Sequence, residues 1–104
     1  MAKLYITEFA ALPQPASRVP LQIGALSSGV DQTPVVIGSE AKSAVFAATT
    51  QFIRVHADAI CSIAYSPAPG FSVAATVNSA RLAADQTEYF AVTPGDKLSV
   101  IANT

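Results

Sequence analysis

Short segments in which apolar and polar residues alternate recur along most of the chain. The clearest covers residues 51–58, where Ile53 and Val55 share one face and Arg54 and His56 share the other. Alternation with a period of two is typical of a β-strand with one buried face, whereas helical periodicity is weak throughout. The pattern therefore predicts an all-β fold.

About six or seven strands are predicted between the turn signals. They cover residues 3–9, 34–37, 43–46, 51–58, 60–65, 87–92 and 97–102. Residues 39–48 also allow a short Ala-rich helix capped by Ser39, although we favour the strand because this stretch leads directly into the alternating segment. Residues 71–77 are predicted to be a loose edge segment, and residues 78–84 allow a helical turn or a short strand.

These strands fit a single small β-sandwich or a jelly-roll-like barrel of about six to eight strands. Residues 1–104 are predicted to form one domain, because a chain of about 100 residues has room for one hydrophobic core. A turn at Asp58-Ala59 and a second at residues 93–96 are each expected to close a hairpin. Pro94-Gly95 suits the centre of a type II turn.

Residues 10–33 differ from the rest of the chain. They contain three of the seven prolines and two of the five glycines, which disfavours regular structure. The segment is nevertheless apolar along one edge, and we predict an extended arm or long loop that packs on its own domain or on a neighbour. The candidate interface residues are Leu12, Val19, Leu21, Ile23 and Leu26.

Charge and hydropathy limit the partners that we expect. Only 12% of the residues are charged, against roughly 25% in typical soluble domains, and the formal net charge is −1. No basic cluster is present, so we expect no nucleic-acid partner and no membrane partner. The chain has no apolar run of about 20 residues and no secretory signal pattern, which predicts synthesis in a reducing cytoplasm.

Few residues are candidates for chemistry. His56, Asp58 and Arg54 share a strand face and could form a metal or acid/base site, but a metal needs a third ligand and the sequence has no other histidine. We interpret the face as a polar surface in which Arg54 and Asp58 offset each other's charge. Cys61 lies among apolar neighbours and is expected to be buried.

The sequence contains no nucleotide-binding, hydrolase or metalloprotease motif. We therefore expect no catalytic residue, no cofactor and no metal, and we interpret the chain as a structural or interaction protein rather than an enzyme. A small metal-binding enzyme of the cupin type is the alternative that bound metal would reveal. Tyr5, Tyr65 and Tyr89 could line a sugar-binding face, although packing in the core or in an interface is the favoured interpretation.

Four stretches resemble small proteins encoded by tailed bacteriophages: MAKLYITEF (1–9), TQFIRVHADAICSIAY (50–65), ARLAADQTEYFAV (80–92) and PGDKLSVI (94–101). In those proteins a strand, a tight Asp-containing turn, a second strand, an Ala-rich loop and a closing hairpin around a Pro-Gly turn form a compact β-domain. The resemblance covers the first strand and roughly the C-terminal half. It has no catalytic signature, so it assigns no functional residue.

The resemblance implies a virion component, and specifically a capsid decoration or cement protein that bridges major capsid subunits. It further implies a homo-oligomer, with a trimer favoured, that is synthesised in the host bacterial cytoplasm and lies on the capsid surface of the virion. The alternative is a carbohydrate- or receptor-binding β-sandwich on a phage tail or fibre.

Overall fold

The computed structural model describes residues 2–10 and 29–104. Within these residues it contains strands and no helix, so it offers no helix that could cross a membrane. The strands are β1 (Lys3–Phe9), β2 (Val30–Asp31), β3 (Val35–Val36), β4 (Ala41–Lys42), β5 (Phe52–Ala57), β6 (Cys61–Ser66), β7 (Ala80–Leu82), β8 (Thr87–Ala91) and β9 (Lys97–Ala102).

The strands form two antiparallel sheets. The first sheet has the order β2-β1-β5-β8, with β3 also paired to β1, and the second has the order β4-β9-β6-β7. The predicted all-β sandwich is confirmed. The described residues contain nine strands, and the predicted strand at residues 34–37 contains β3. Strands β2 and β4 were not predicted, because pairs of residues are too short to leave an alternating pattern.

The core lies between the inner faces of the two sheets. Alternate residues of a strand point to opposite faces, and the inward residues of β1 and β5 are buried as predicted. Burying one such side chain contributes about 1.5–3 kcal/mol. Cys61 is fully buried, which confirms the sequence interpretation, and this burial raises the pKa of its thiol. The main core residues are Leu4, Ile6, Phe46, Ile53, Val55, Cys61, Leu82, Leu98 and Val100.

Both predicted hairpins are wrong. The type II turn at Pro94-Gly95 is present, since the Asp96 amide donates to the Thr93 carbonyl at 3.3 Å and Gly95 has a φ of +90°. However, β8 pairs with β5 in the first sheet and β9 pairs with β6 in the second. The bend at Asp58-Ala59 likewise carries the chain from β5 to β6 across the sandwich. Each turn therefore joins strands of different sheets.

The strand predicted at residues 43–46 is also wrong. The ladder between β4 and β9 ends at Lys42, because the Ser43 hydroxyl takes the place of a backbone acceptor and receives the Leu98 amide at 2.9 Å. Side chains of this type compete with the ladder for backbone partners. Phe46 is still buried in the core, which accounts for its strand-like hydrophobic signal.

Residues 71–77 form no strand. The sequence allowed a helical turn or a short strand at residues 78–84, and the structure has a short strand there, β7. The Ala75 amide donates to the Ser99 hydroxyl at 2.8 Å, so residues 71–77 are attached to the second sheet by a side chain rather than by a ladder. Two prolines in the preceding break at residues 66–70 remove backbone donors there.

Only the end of the predicted arm lies within the described residues. Strand β2 pairs with β1 through Asp31 and Thr7, and Gly29 packs directly against the same strand. A Cβ atom at Gly29 would lie 2.8 Å from Thr7 Cγ2 and 2.9 Å from Phe9 Cε1, so a larger residue has no space. The candidate interface residues all lie outside the described residues: Leu12, Val19, Leu21, Ile23 and Leu26.

Candidate functional site

The outer face of the first sheet gathers most of the polar and aromatic side chains singled out in the sequence. The register of β1, β5 and β8 arranges them in two rows of neighbours. We call this surface the polar face: Tyr5, His56 and Thr87 in one row, and Thr7, Arg54 and Tyr89 in the other. Both tyrosine side chains are 42% exposed, so the polar face presents aromatic surface on either side of its charged centre.

An open depression of about 540 Å³ lies on this face over β1 and β5. The Thr7 hydroxyl donates to the Asp31 carboxylate at 2.7 Å, which fixes the acidic side of the depression. Its polar lining is Tyr5, Thr7, Asp31, Gln32, Arg54 and His56. A concave surface with a few convergent polar groups is the usual form of a small-ligand site.

Arg54 does not pair with Asp58, and that sequence interpretation is wrong. Asp58 lies at the end of β5, where its carboxylate accepts the Lys3 amide at 3.3 Å. The described part of the chain has two ion pairs, Lys42–Glu40 and His56–Asp85, so Arg54 has no salt bridge there. The half-buried Arg54 therefore lines the depression without an ion-pair partner among the described residues.

The His56 ring is fixed by its neighbours. Nδ1 lies 2.8 Å from the Thr87 hydroxyl, and Nε2 lies 3.9 Å from Asp85 Oδ1. Thr87, His56 and Asp85 thus have the order of the nucleophile, base and acid of a catalytic triad. The 3.9 Å between His56 and Asp85 is, however, too long for a hydrogen bond. Asp85 is also 83% exposed, so it does not orient the ring as the acid of a catalytic triad does.

One atom each from His56, Asp58 and Asp85 lie within 4.8 Å of one another. A nitrogen and two oxygens of this kind can coordinate a divalent cation. The sequence did not reveal Asp85 as a neighbour, because it reaches His56 only through the pairing of β8 with β5. Both aspartates are exposed, and the expectation of a chain without metal stays a prediction.

Glu8 is buried at the edge of the core. Its carboxylate accepts hydrogen bonds from the Thr50 hydroxyl at 2.6 Å, the Ala47 amide at 2.8 Å and the Gln32 side chain at 3.0 Å. Buried charges persist in proteins when they are satisfied in this way. Glu8 joins two separate segments of the chain to β1, residue 32 and residues 47–50, and we assign it a structural role.

Tyr65 has a structural role that the sequence did not indicate. Its hydroxyl donates to Asp96 Oδ2 at 2.7 Å and accepts the Thr93 amide at 2.7 Å, while Asp96 Oδ1 accepts the Ala68 amide at 2.8 Å. Desolvation, followed by the bond to Asp96, raises the pKa of Tyr65. The Ala68 amide, followed by Tyr65, lowers the pKa of Asp96. This tyrosine therefore links the proline break to the Pro-Gly turn.

Strand β8 is an edge of the first sheet as far as the structure describes it. The Val92 amide donates to the Gln51 carbonyl at 3.0 Å, and this bond fixes which backbone groups of β8 face β5. The alternation of an antiparallel ladder then directs the remaining groups toward the open side. The N–H and C=O groups on that open edge belong to Thr87, Tyr89 and Ala91.

Comparison of the chain with protein-family models, curated proteins and solved structures found no match. The function must therefore be argued from the fold and its surfaces. Two surfaces stand out among the described residues: the open edge of β8, and the polar face with its depression.

Proposed function

We propose that this chain is a non-enzymatic structural protein of a phage particle, and specifically a capsid decoration or cement protein. In this role it stabilises the head by bridging major capsid subunits on the capsid surface. It acts as a homo-oligomer, with a trimer favoured, after synthesis in the host bacterial cytoplasm. The resemblance of residues 1–9, 50–65, 80–92 and 94–101 to small phage proteins supports this proposal.

The open edge of β8 is the observation that carries the proposal. Natural edge strands are usually protected by lysine, proline, a bulge or a covering segment. Strand β8 has neither lysine nor proline, and it presents Tyr89 and Phe90 at 42% and 36% exposure. Such an edge can accept a strand from another subunit through backbone hydrogen bonds, while the two aromatic rings add apolar contact.

Exposed apolar side chains extend over other parts of the surface. The largest exposed fractions among the valines are 63% at Val30, 59% at Val77 and 48% at Val45. Charged residues are depleted in the cores of protein interfaces, and this chain has few of them. The composition therefore suits a subunit that buries much of its surface against neighbours.

A capsid repeats the same surface many times, so each single contact needs less affinity for the oligomer to stay attached. When one oligomer engages several sites at once, the later contacts form at a high effective concentration. Modest contacts along a strand edge are then sufficient for stable attachment. The apolar arm predicted at residues 10–33 would add to this contact area.

A second candidate function is recognition of a carbohydrate or receptor from a phage tail or fibre. Tyr5 and Tyr89 favour it, because both are exposed on the polar face beside Arg54 and His56. Aromatic rings with polar neighbours are suited to contacts with sugars, which have apolar ring faces and polar edges. Tyr65 is not part of this surface, since its hydroxyl is engaged by Asp96.

Localisation in intact particles tests the primary proposal. An antibody against the chain, applied to purified particles of the phage that encodes it, should label heads in electron micrographs and leave tails unlabelled. Labelling at the tail tip would favour the second candidate instead. Absence of the chain from purified particles would contradict both. Sedimentation of the purified chain should show an oligomer rather than a monomer.

A further inference from the structure

Arg54 is a cation without a partner on the floor of a depression. It is half-buried, and no carboxylate among the described residues lies within salt-bridge distance of it. Its cross-strand neighbours are the neutral side chains of Thr7 and Tyr89. A guanidinium presents paired N–H donors in a plane that matches a carboxylate, so this group is suited to an anionic ligand.

The other groups of the depression are suited to a sugar. Tyr5 borders it with a ring that is 42% exposed, which offers a flat apolar surface. Asp31 also lines the depression, and one of its carboxylate oxygens accepts the Thr7 hydroxyl. The remaining oxygen can accept a hydrogen bond from a ligand hydroxyl. A simple anion has neither an apolar face to pack on Tyr5 nor a hydroxyl to donate to Asp31.

The spacing of these groups fits a ligand with a charged end and a hydroxyl-bearing end. Asp31 pairs with Thr7, and Thr7 pairs with Arg54, so the two charged residues are two strands apart. Two interstrand spacings of about 4.8 Å place their backbones roughly 10 Å apart. His56, the other titratable group of the depression, is directed toward Thr87 and Asp85 by its own contacts.

We propose that the depression on the polar face binds a carboxylate-bearing sugar of the uronic acid type. Arg54 receives the carboxylate, the Tyr5 ring packs against the sugar ring, and Asp31 accepts a sugar hydroxyl. This inference rests on the second candidate function and names its ligand class. It does not depend on the capsid role.

Titration of the full chain with trigalacturonate, followed by amide chemical shifts in NMR spectra, tests this site. The shifts should concentrate at residues 5–7, 31 and 54–56. Maltotriose, a neutral trisaccharide, and acetate, a simple carboxylate, should each bind at least about tenfold more weakly, because each lacks one of the two required features.

Variants assign the binding to the proposed residues. Arg54→Gln should weaken trigalacturonate binding about tenfold, and Tyr5→Ala about fivefold. Lys42→Gln is the matched control, because it also removes one half-buried cation but lies on β4 in the second sheet, and it should leave the affinity unchanged. Should Arg54→Gln fail to fold, Arg54→Lys carries the test, since it keeps the charge and loses the paired donors.

Unchanged affinity in the Arg54 variant, or an equal loss in Lys42→Gln, would contradict the assignment of the site. Equal binding of maltotriose and trigalacturonate would overturn the acidic-sugar inference and leave a general carbohydrate module intact. Binding of none of the three probes would overturn the inference, while recognition of a receptor or of another carbohydrate would still stand. The capsid proposal is tested separately, on particles.

Discussion

The carboxylate of Glu8 and the hydroxyl of Thr50 form a buried 2.6 Å hydrogen bond between residues 42 positions apart in the chain. Glu8 belongs to β1, and Thr50 lies just before β5, which is the neighbour of β1 in the first sheet. Two further donors complete the shell of the carboxylate, so the charge is buried without an unsatisfied oxygen. This contact fixes the segment that leads into β5.

Replacing Thr50 with valine should destabilise the fold. The change keeps the shape of the side chain and removes a donor from a buried carboxylate, at a cost of about 1–3 kcal/mol. Urea unfolding followed by circular dichroism measures the difference in the free energy of unfolding. Thr49→Val is the matched control, because Thr49 is exposed and should change stability by less than about 0.5 kcal/mol. Equal effects at the two positions would contradict the structural role of Glu8.

Gly29 should tolerate no side chain. Its would-be Cβ atom meets Thr7 Cγ2 at 2.8 Å and Phe9 Cε1 at 2.9 Å, and the Phe9 ring cannot retreat because it is buried and stacked on Phe52 with a centroid separation of 4.9 Å. Gly29→Ala should therefore cost about 1–3 kcal/mol, the usual penalty of overpacking.

Gly38→Ala provides the comparison for Gly29. No atom lies within 4 Å of the corresponding Cβ position at Gly38, so alanine fits there without displacement. Thermal unfolding of both variants should show a lower melting temperature for Gly29→Ala alone. A Gly29→Ala chain as stable as the unchanged protein would show that β2 does not approach β1 as closely as described.

Acid should destabilise the chain in part through Asp96. Hydrogen bonds from Ala68 and Tyr65 lower the pKa of Asp96 in the folded state below its ordinary value. A lowered folded-state pKa gives stability that is present above the unfolded-state pKa and is lost as the pH falls through the folded value. We therefore expect the contribution of Asp96 to stability to be lost below about pH 4.

Tyr65→Phe tests this dependence. Removing the hydroxyl takes one donor from Asp96, so the folded-state pKa of Asp96 should rise toward its ordinary value and its stabilising contribution should shrink. Unfolding free energies measured between pH 2 and pH 7 should then depend less on pH in this variant. Tyr89→Phe is the control, because it removes an exposed hydroxyl, and its free energy of unfolding should depend on pH as in the unchanged chain. An equally weakened pH dependence in Tyr89→Phe would contradict the role assigned to Tyr65.

The alternating segments of the sequence predicted β1, β5, β6, β8 and β9 because burial of every second residue leaves a signal in the chain itself. Pairing partners leave no such signal. The turn at Pro94-Gly95 was predicted because a type II turn requires a positive φ at its third residue, which glycine adopts without strain. The turn does not determine whether the next strand stays in the same sheet. Both hairpin predictions failed for this reason.

The candidate site was predictable only in part. Arg54 and His56 share a face in the sequence pattern as in the structure. Asp85 and Asp31, by contrast, reach that face through the pairing of β8 with β5 and of β2 with β1. Contacts between strands distant in the sequence therefore decided the surroundings of Arg54, which has no ionic partner within residues 2–10 and 29–104.

Attachment through the open edge of β8 can be tested by comparing two tyrosines. Tyr89 and Tyr5 have the same exposed fraction and lie on the same face, but only Tyr89 belongs to an edge strand. Lysine on an edge strand prevents pairing with another strand, whereas lysine on an inner strand leaves the edge unchanged.

The deciding measurement is cosedimentation of the purified chain with phage heads that lack it. We predict that Tyr89→Lys reduces the bound fraction at least about tenfold, because the substitution removes an aromatic contact and the lysine charge opposes pairing of another strand with β8. Tyr5→Lys should bind like the unchanged chain. Retention of binding by Tyr89→Lys, or its loss in both variants alike, would contradict attachment through the edge of β8.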